Sequence, residues 1–264
     1  MWSIKEVKQK GKTAMKANYW MTFAVSLLMM ILVGSGGGSV AGSAHNAFNR
    51  ELEFNNNLEN NQAAQEAAAE AENIASEIMD DINNMSDMEA AALFGVIMAL
   101  IGAIAIIGFL WMLFGILVTN PLKVGFMNFF VRNCDAPASF GEVKRGFSPS
   151  WFGNVLTMLL TSIYVFLWSL LFFIPGLVKS YSYALVPYIR ADRPELSANQ
   201  TITLSRKLMN GNKLRLFLFD LSFIGWSILG LLTCGILTAF YVMPYYNCSK
   251  AEVYRSILAE NPGL

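Results

Sequence analysis

With 264 residues, 55% of them hydrophobic and only 14% charged, at a mean hydropathy of +0.43, the chain is too apolar for a soluble domain of its length. Nineteen basic residues balance nineteen acidic ones, so the net charge of zero offers a polyanion no attraction and nucleic acid is not an expected partner. The composition predicts an all-α polytopic bundle in the plasma membrane, with the lipid bilayer as its first partner.

Residues 1–19 carry Lys5, Lys8, Lys10, Lys12 and Lys16 and read as a cytoplasmic amphipathic segment. The first apolar block, 20–43, begins with "MTFAVSLLMMILV" and weakens as a helix toward Gly34, Gly36, Gly37 and Gly38. Lysines, a short apolar core and small residues also fit a secretory signal peptide cut near Ala44. The length of the basic region and its counterpart elsewhere in the chain favour a retained first span. The 43–89 segment sets Arg50 against eleven acids from Glu51 to Glu89, so it reads as an extracytoplasmic insertion. It is Asn-rich at 55–61 and helix-favouring from 62 onward. Its acids form either a solvated face or an attractor for cations or a basic peptide, and the lone His45 reads as a solvated loop residue.

The second apolar block, 90–119, places Gly95, Ala99 and Gly102 on one face, for close helix packing or a pore lining. With the insertion it completes a first hairpin, 20–121. Lys123, Arg132, Lys144 and Arg145 then mark 119–151 as cytoplasmic. The apolar run 155–189 is longer than one crossing of roughly 20 residues needs. Both its flanks are basic, so the chain crosses an even number of times, and a hairpin turn is expected at Pro175-Gly176. Lys179 falls just beyond that turn, where its stem lifts the ammonium to the outer interface. This second unit covers 139–190. In 190–215, six cations return the chain to the cytoplasmic side, with Ser197 as the N-cap and Gly211 as the stop of a short helix. That helix lies on the inner leaflet or packs beneath the bundle. The same parity makes 216–248 a hairpin turning near Thr233-Cys234-Gly235, within a third unit, 197–248. Residues 249–264 read as a cytoplasmic tail, so both termini are cytoplasmic.

"WSLLFFIPGLVKSYSYALVPYI" from Trp168 and "WSILGLLTCGILTAFYVMPYYN" from Trp226 align as an internal repeat. Each reads Trp-Ser, a glycine-bearing turn, an aromatic residue, then Pro-Tyr. "LVTNPLKVGF" closes a weaker third copy, which predicts six spans in three hairpin units with interfacial amphipathic helices. The ordered set "MWSIKEVKQKGKTAMKANYW", "NPLKVGFMNFF", "FLWSLLFFIPGLVKSYSYALVPYI", "ITLSRKLMNG", "FDLSFIGW" and "GILTAFYVMPYY" resembles the bacterial integral-membrane family described as domain of unknown function 975, over nearly the whole chain except the acidic insertion. That resemblance implies a polytopic membrane protein without an assigned activity. The chain is also distantly similar to the membrane domain attached to some glycerophosphodiester phosphodiesterases, but carries no catalytic barrel.

Cys134, Cys234 and Cys248 fit no ligand or disulfide spacing. No phosphate loop, Ser/His/Asp set or metal motif is present, so no cofactor is expected and the chain reads as a non-enzyme. Asp220, in "RLFLFDLSFIGW", is the one acid inside an apolar block; it is either an ion or substrate contact or a structural acceptor. Tyr181, Tyr183 and Ser180 are its candidate partners, and Asp220 and Lys179 are the candidate intramembrane functional residues. The favoured expectation is a scaffold or envelope-associated protein, with a membrane-protein partner or self-association. The alternative is a small-molecule or lipid transporter or channel with Asp220 in its path.

Overall fold

The computed structural model describes residues 2–33, 61–84, 86–147, 150–233 and 235–263. The outer end of the first apolar block, the cut near Ala44, His45, the Asn-rich start of the insertion and Cys234 lie outside them. Every regular element among the described residues is helical. The chain divides into two compact units, Asn46–Phe114 and a larger one made of Met1–His45 with Gly115–Leu264.

The smaller unit contains α3 (Asn61–Asn84) and α4 (Asp87–Phe114). Ala and Glu dominate α3, which suits a helix supported by propensity. The expected packing at Gly95 and Gly102 is not met within this unit: a Cβ added at either would touch nothing. The two arms of the expected first hairpin fall in different units.

The larger unit begins with α1 (Ile4–Ala17) and α2 (Tyr19–Leu32), bent by 104° at Asn18. The bend is pinned because the Asn18 amide donates to Asn133 Oδ1 and to the Ala138 carbonyl, both at 2.8 Å. Val7, Gly11 and Met15, four residues apart, form the buried stripe of α1, while Lys5, Lys10, Lys12 and Lys16 face outward. After a π-helical turn at Gly115–Thr119 comes α5 (Asn120–Asn133). Within the stretch expected to be cytoplasmic, 119–151, Phe126, Phe129 and Phe130 of α5 are core residues. Short turns follow at α6 (Gly141–Lys144) and Arg145–Phe147.

The second hairpin is built from α7 (Trp151–Leu171) and α8 (Phe173–Ser182). The two helices run antiparallel, since Gly176 meets Ser169, Lys179 meets Trp168 and Tyr183 meets Tyr164. Its turn is at Phe172, which is extended at φ −157°, and the expected turn at Pro175-Gly176 is corrected accordingly. Pro175 sits in the first turn of α8, where the N–H it lacks has no helical partner anyway. Gly176 is required by closeness: a Cβ there would lie 2.5 Å from Ser169 Oγ.

Next comes α9 (Val186–Asp192), and then α10 (Ala198–Leu208). Here the sequence reading is met at both ends: Ser197 and Gln200 form a reciprocal capping box, and Gly211 has φ +77°. A broken arm follows, α11 (Lys213–Leu221) and α12 (Ile224–Leu232). The expected turn after Thr233 is present, with Gly235 at φ +83° donating to the Gly230 carbonyl at 2.8 Å. The chain returns through a π-helical turn at Thr238–Val242 into α13 (Met243–Ala259). Trp226 against Tyr241 and Phe223 against Tyr245 make this pair antiparallel as well.

The expected cytoplasmic tail is largely a packed helix. Residues 249–259 belong to α13, where Ser249, Ala251, Val253, Tyr254 and Ile257 are fully buried. Apolar residues at helical spacing continue past the end of the hydrophobic block and bring α1, α5, α9 and α11 around α13. Three helices, Ala91–Asn133, Trp151–Leu171 and Lys213–Leu232, are long and apolar enough to cross a membrane. The bent pair α1 and α2 makes a fourth if counted as one span.

Candidate functional site

Asp220 lies near the end of α11 with its side chain only 2% exposed. The Tyr181 hydroxyl on α8 donates to Oδ2 at 3.1 Å, and the Tyr246 hydroxyl on α13 donates to Oδ1 at 2.9 Å. Lys250 stands one helical turn beyond Tyr246 and donates to its hydroxyl oxygen at 2.6 Å, while its ammonium stays 4.0 Å from Asp220. Tyr246 therefore relays between cation and carboxylate, giving its proton to Asp220 and accepting one from Lys250. Three helices distant in sequence are tied by one buried acid whose donors satisfy it.

These groups line a cavity of about 570 Å³ between α2, α5, α7, α8, α9, α11 and α13. Lys123 on α5 lines it too, and makes no hydrogen bond or ion pair among the described residues. Its apolar wall includes Met29, Met127, Met158, Met243 and Phe166. The hydroxyls of Thr161, Ser162, Ser169 and Ser180 also border it, but each donates back to a carbonyl of its own helix. Lys123 and Lys250 are thus the cavity's cationic donors.

Of the expected partners of Asp220, Tyr181 is present. Tyr183 packs on Tyr164 and Ser180 donates to Leu177, so neither bonds to the acid. Lys179 is not part of this site; its ammonium lies 4.3 Å from the centroid of the Trp168 ring, a cation–π contact across the hairpin. Tyr246, Lys250 and Lys123 escaped the sequence reading. The available signal was the Tyr246–Lys250 spacing of four, but Lys250 had been counted as a tail residue and Lys123 as a loop cation.

A second buried polar centre is structural. Arg190, expected as a cytoplasmic cation, is 4% exposed and donates to Asn154 Oδ1 at 2.7 Å and to the carbonyls of Leu196 and Ser150. Burial lowers its pKa from the ordinary arginine value. It clamps the start of α7 to the loop before α10. Among the described residues no group of three or more His, Cys, Asp or Glu side chains could hold a metal, and Cys134 and Cys248 are free thiols.

No curated protein and no solved structure matches the chain. A family described as "Protein of unknown function (DUF975)" matches residues 1–261, a range that spans both structural units and the acidic insertion. By that match the chain belongs to the DUF975 family, the one its repeat motifs resembled.

Proposed function

We propose that the chain is a non-enzymatic, multi-pass plasma-membrane protein that binds a small molecule or lipid in the Asp220 cavity and passes it across the bilayer. The cavity carries this reading: it is of the size that encloses small ligands and gathers Asp220, Lys123 and Lys250 between membrane-compatible helices. The lysines and tyrosines around Asp220 give a path polar groups to line it, which favours this reading over a scaffold.

Six spans in three hairpin repeats, with both termini cytoplasmic, remain part of the proposal. The two antiparallel pairs support it, since each brings a glycine against a hydroxyl residue across its turn: Gly176 on Ser169 and Gly230 on Thr238. The return helix α8 has ten residues, about 15 Å of rise, so it crosses only with the broken stretch to α9 or in a thinned bilayer. A second reading, a scaffold or self-associating protein, is favoured by α4, whose Gly95 and Gly102 leave room for another helix to approach.

The test is lipid movement in reconstituted vesicles, using phosphatidylglycerol labelled on its acyl chain and an impermeant quencher outside. The proposal predicts quenching beyond the outer-leaflet share, returning to that share in Asp220→Asn because the amide no longer competes for Lys250. Quenching identical to that of protein-free vesicles contradicts transport of this lipid.

A further inference from the structure

Charge within the cavity is unbalanced. Lys123 and Lys250 place two ammoniums there against the single Asp220 carboxylate, which is already engaged by Tyr181 and Tyr246. Lys250 is ion-paired with Asp220 only at 4.0 Å and also hydrogen-bonds to Tyr246, so a closer anion would compete with both for it. Lys123 has no hydrogen bond or ion pair among the described residues. Lys123 is partly buried, and an ammonium drawn from water without a paired counter-charge is disfavoured, a cost relieved by an anion bound beside it.

With both ammoniums and the carboxylate charged, the balance favours one charge on that anion. Two positive groups less one negative leave a surplus of one, which a monoanion neutralises. A phosphodiester carries a single charge, whereas a phosphomonoester carries closer to two at neutral pH. Lysine suits phosphate, which it meets as a point charge without the paired geometry arginine supplies. Beyond the lysines, the methionine and phenylalanine wall offers apolar surface that adapts to a flexible chain.

We infer that the cavity binds the phosphodiester headgroup of an anionic amphiphile between Lys123 and Lys250, with its apolar chain along the wall of Met29, Met127, Met158, Met243 and Phe166. This deepens the proposed function by naming the ligand class; it rests on the cavity being membrane-accessible, but does not require that the ligand crosses. Asp220 then acts as the competitor that holds Lys250, through Tyr246, when the headgroup is absent.

The experiment measures binding of short-chain phosphatidylglycerol to the full-length protein in neutral detergent, with short-chain phosphatidylcholine and inorganic phosphate as comparisons. Saturable phosphatidylglycerol binding is expected, with phosphatidylcholine at least about tenfold weaker. Lys123→Gln weakens it by about tenfold to a hundredfold, the worth of a hydrogen bond to a charged group. Lys123→Arg, which keeps the charge, stays close to wild type. Asp220→Asn tightens binding by releasing Lys250, a gain that mere loss of packing does not produce. Competition by inorganic phosphate at equal concentration would assign the anion site to free phosphate and overturn the lipid; its absence supports the lipid. Equal affinity for the two lipids, or an unchanged affinity in a folded Lys123→Gln protein, overturns the inference. Saturable binding without lipid movement in vesicles would contradict transport and leave the ligand standing. Lipid movement that Lys123→Gln does not slow would do the reverse.

Discussion

Glu252 shows how α13 couples titration to folding. It is half-buried at the polar end of the helix, and burial raises its carboxyl above the ordinary value of 4.5, against the opposing pull of the Cys134 thiol, Lys10 and Arg255. Asp135 adds to the upward shift. The folded state therefore favours the protonated form. That contribution is fully present below the unfolded value near 4.5 and is lost as pH rises through the higher folded value. Glu252→Gln is expected to be more stable than wild type at neutral pH by under about 1 kcal/mol, since the site is partly screened, with the difference closing in acid. Thermal unfolding in detergent across a pH series measures this, and a difference that widens in acid contradicts it. At Asp220 the sequence revealed an acid at depth and the Tyr181 hydroxyl, because both lie within apolar blocks where a polar group stands out. It did not reveal Tyr246 and Lys250. Their turn of helix looked like the far side of a membrane boundary, and hydropathy does not register that a helix continues past such a boundary into a packed core.

Among the elements, the contact of α1 with α13 is open to a direct test. A Cβ at Gly11 would stand 2.5 Å from both the Cα and the Oγ of Ser249, so Gly11→Ala forces the two helices apart. The expected loss is about 1–3 kcal/mol, typical of overpacking, read as a lowered unfolding temperature; Lys12→Ala, on the exposed side of α1, serves as the control and stays within about 0.5 kcal/mol. An unchanged Gly11→Ala protein would mean that α1 does not dock as described. Local chemistry was legible where a residue acts on its own backbone: Ser197 caps α10 with Gln200, and Gly211 and Gly235 take the positive φ their turns require. Pro175 misled for a physical reason. Proline and glycine mark a turn when nothing else ends the helix, but here Phe172 breaks the chain first and Pro175 is free to begin α8.

At the scale of the molecule, hydropathy identified the apolar segments but not the packed core. Phe126, Phe129 and Phe130, with Tyr254 and Ile257, sit in stretches that read as a cytoplasmic segment and tail because their neighbours include Arg132, Lys144, Arg145, Glu252 and Arg255. A charged helix with a buried aromatic stripe looks like a loop to any windowed average. Most of the acidic insertion, from residue 46 onward, falls in the other compact unit, and deletion of 55–88 with a short linker is expected to leave the unfolding temperature of the larger unit within a few degrees. Failure of the shortened chain to insert would give the segment a role in orienting the first apolar arms. The central claim is that the Asp220 cavity is a ligand site, and the most direct measurement is an electron cryo-microscopy map of the full-length protein in phosphatidylglycerol nanodiscs. The account predicts an elongated density whose head lies within hydrogen-bond reach of Lys123 and Lys250 and whose tail follows the methionine wall. A cavity closed by its own side chains, with Lys123 paired to a protein carboxylate, would contradict it.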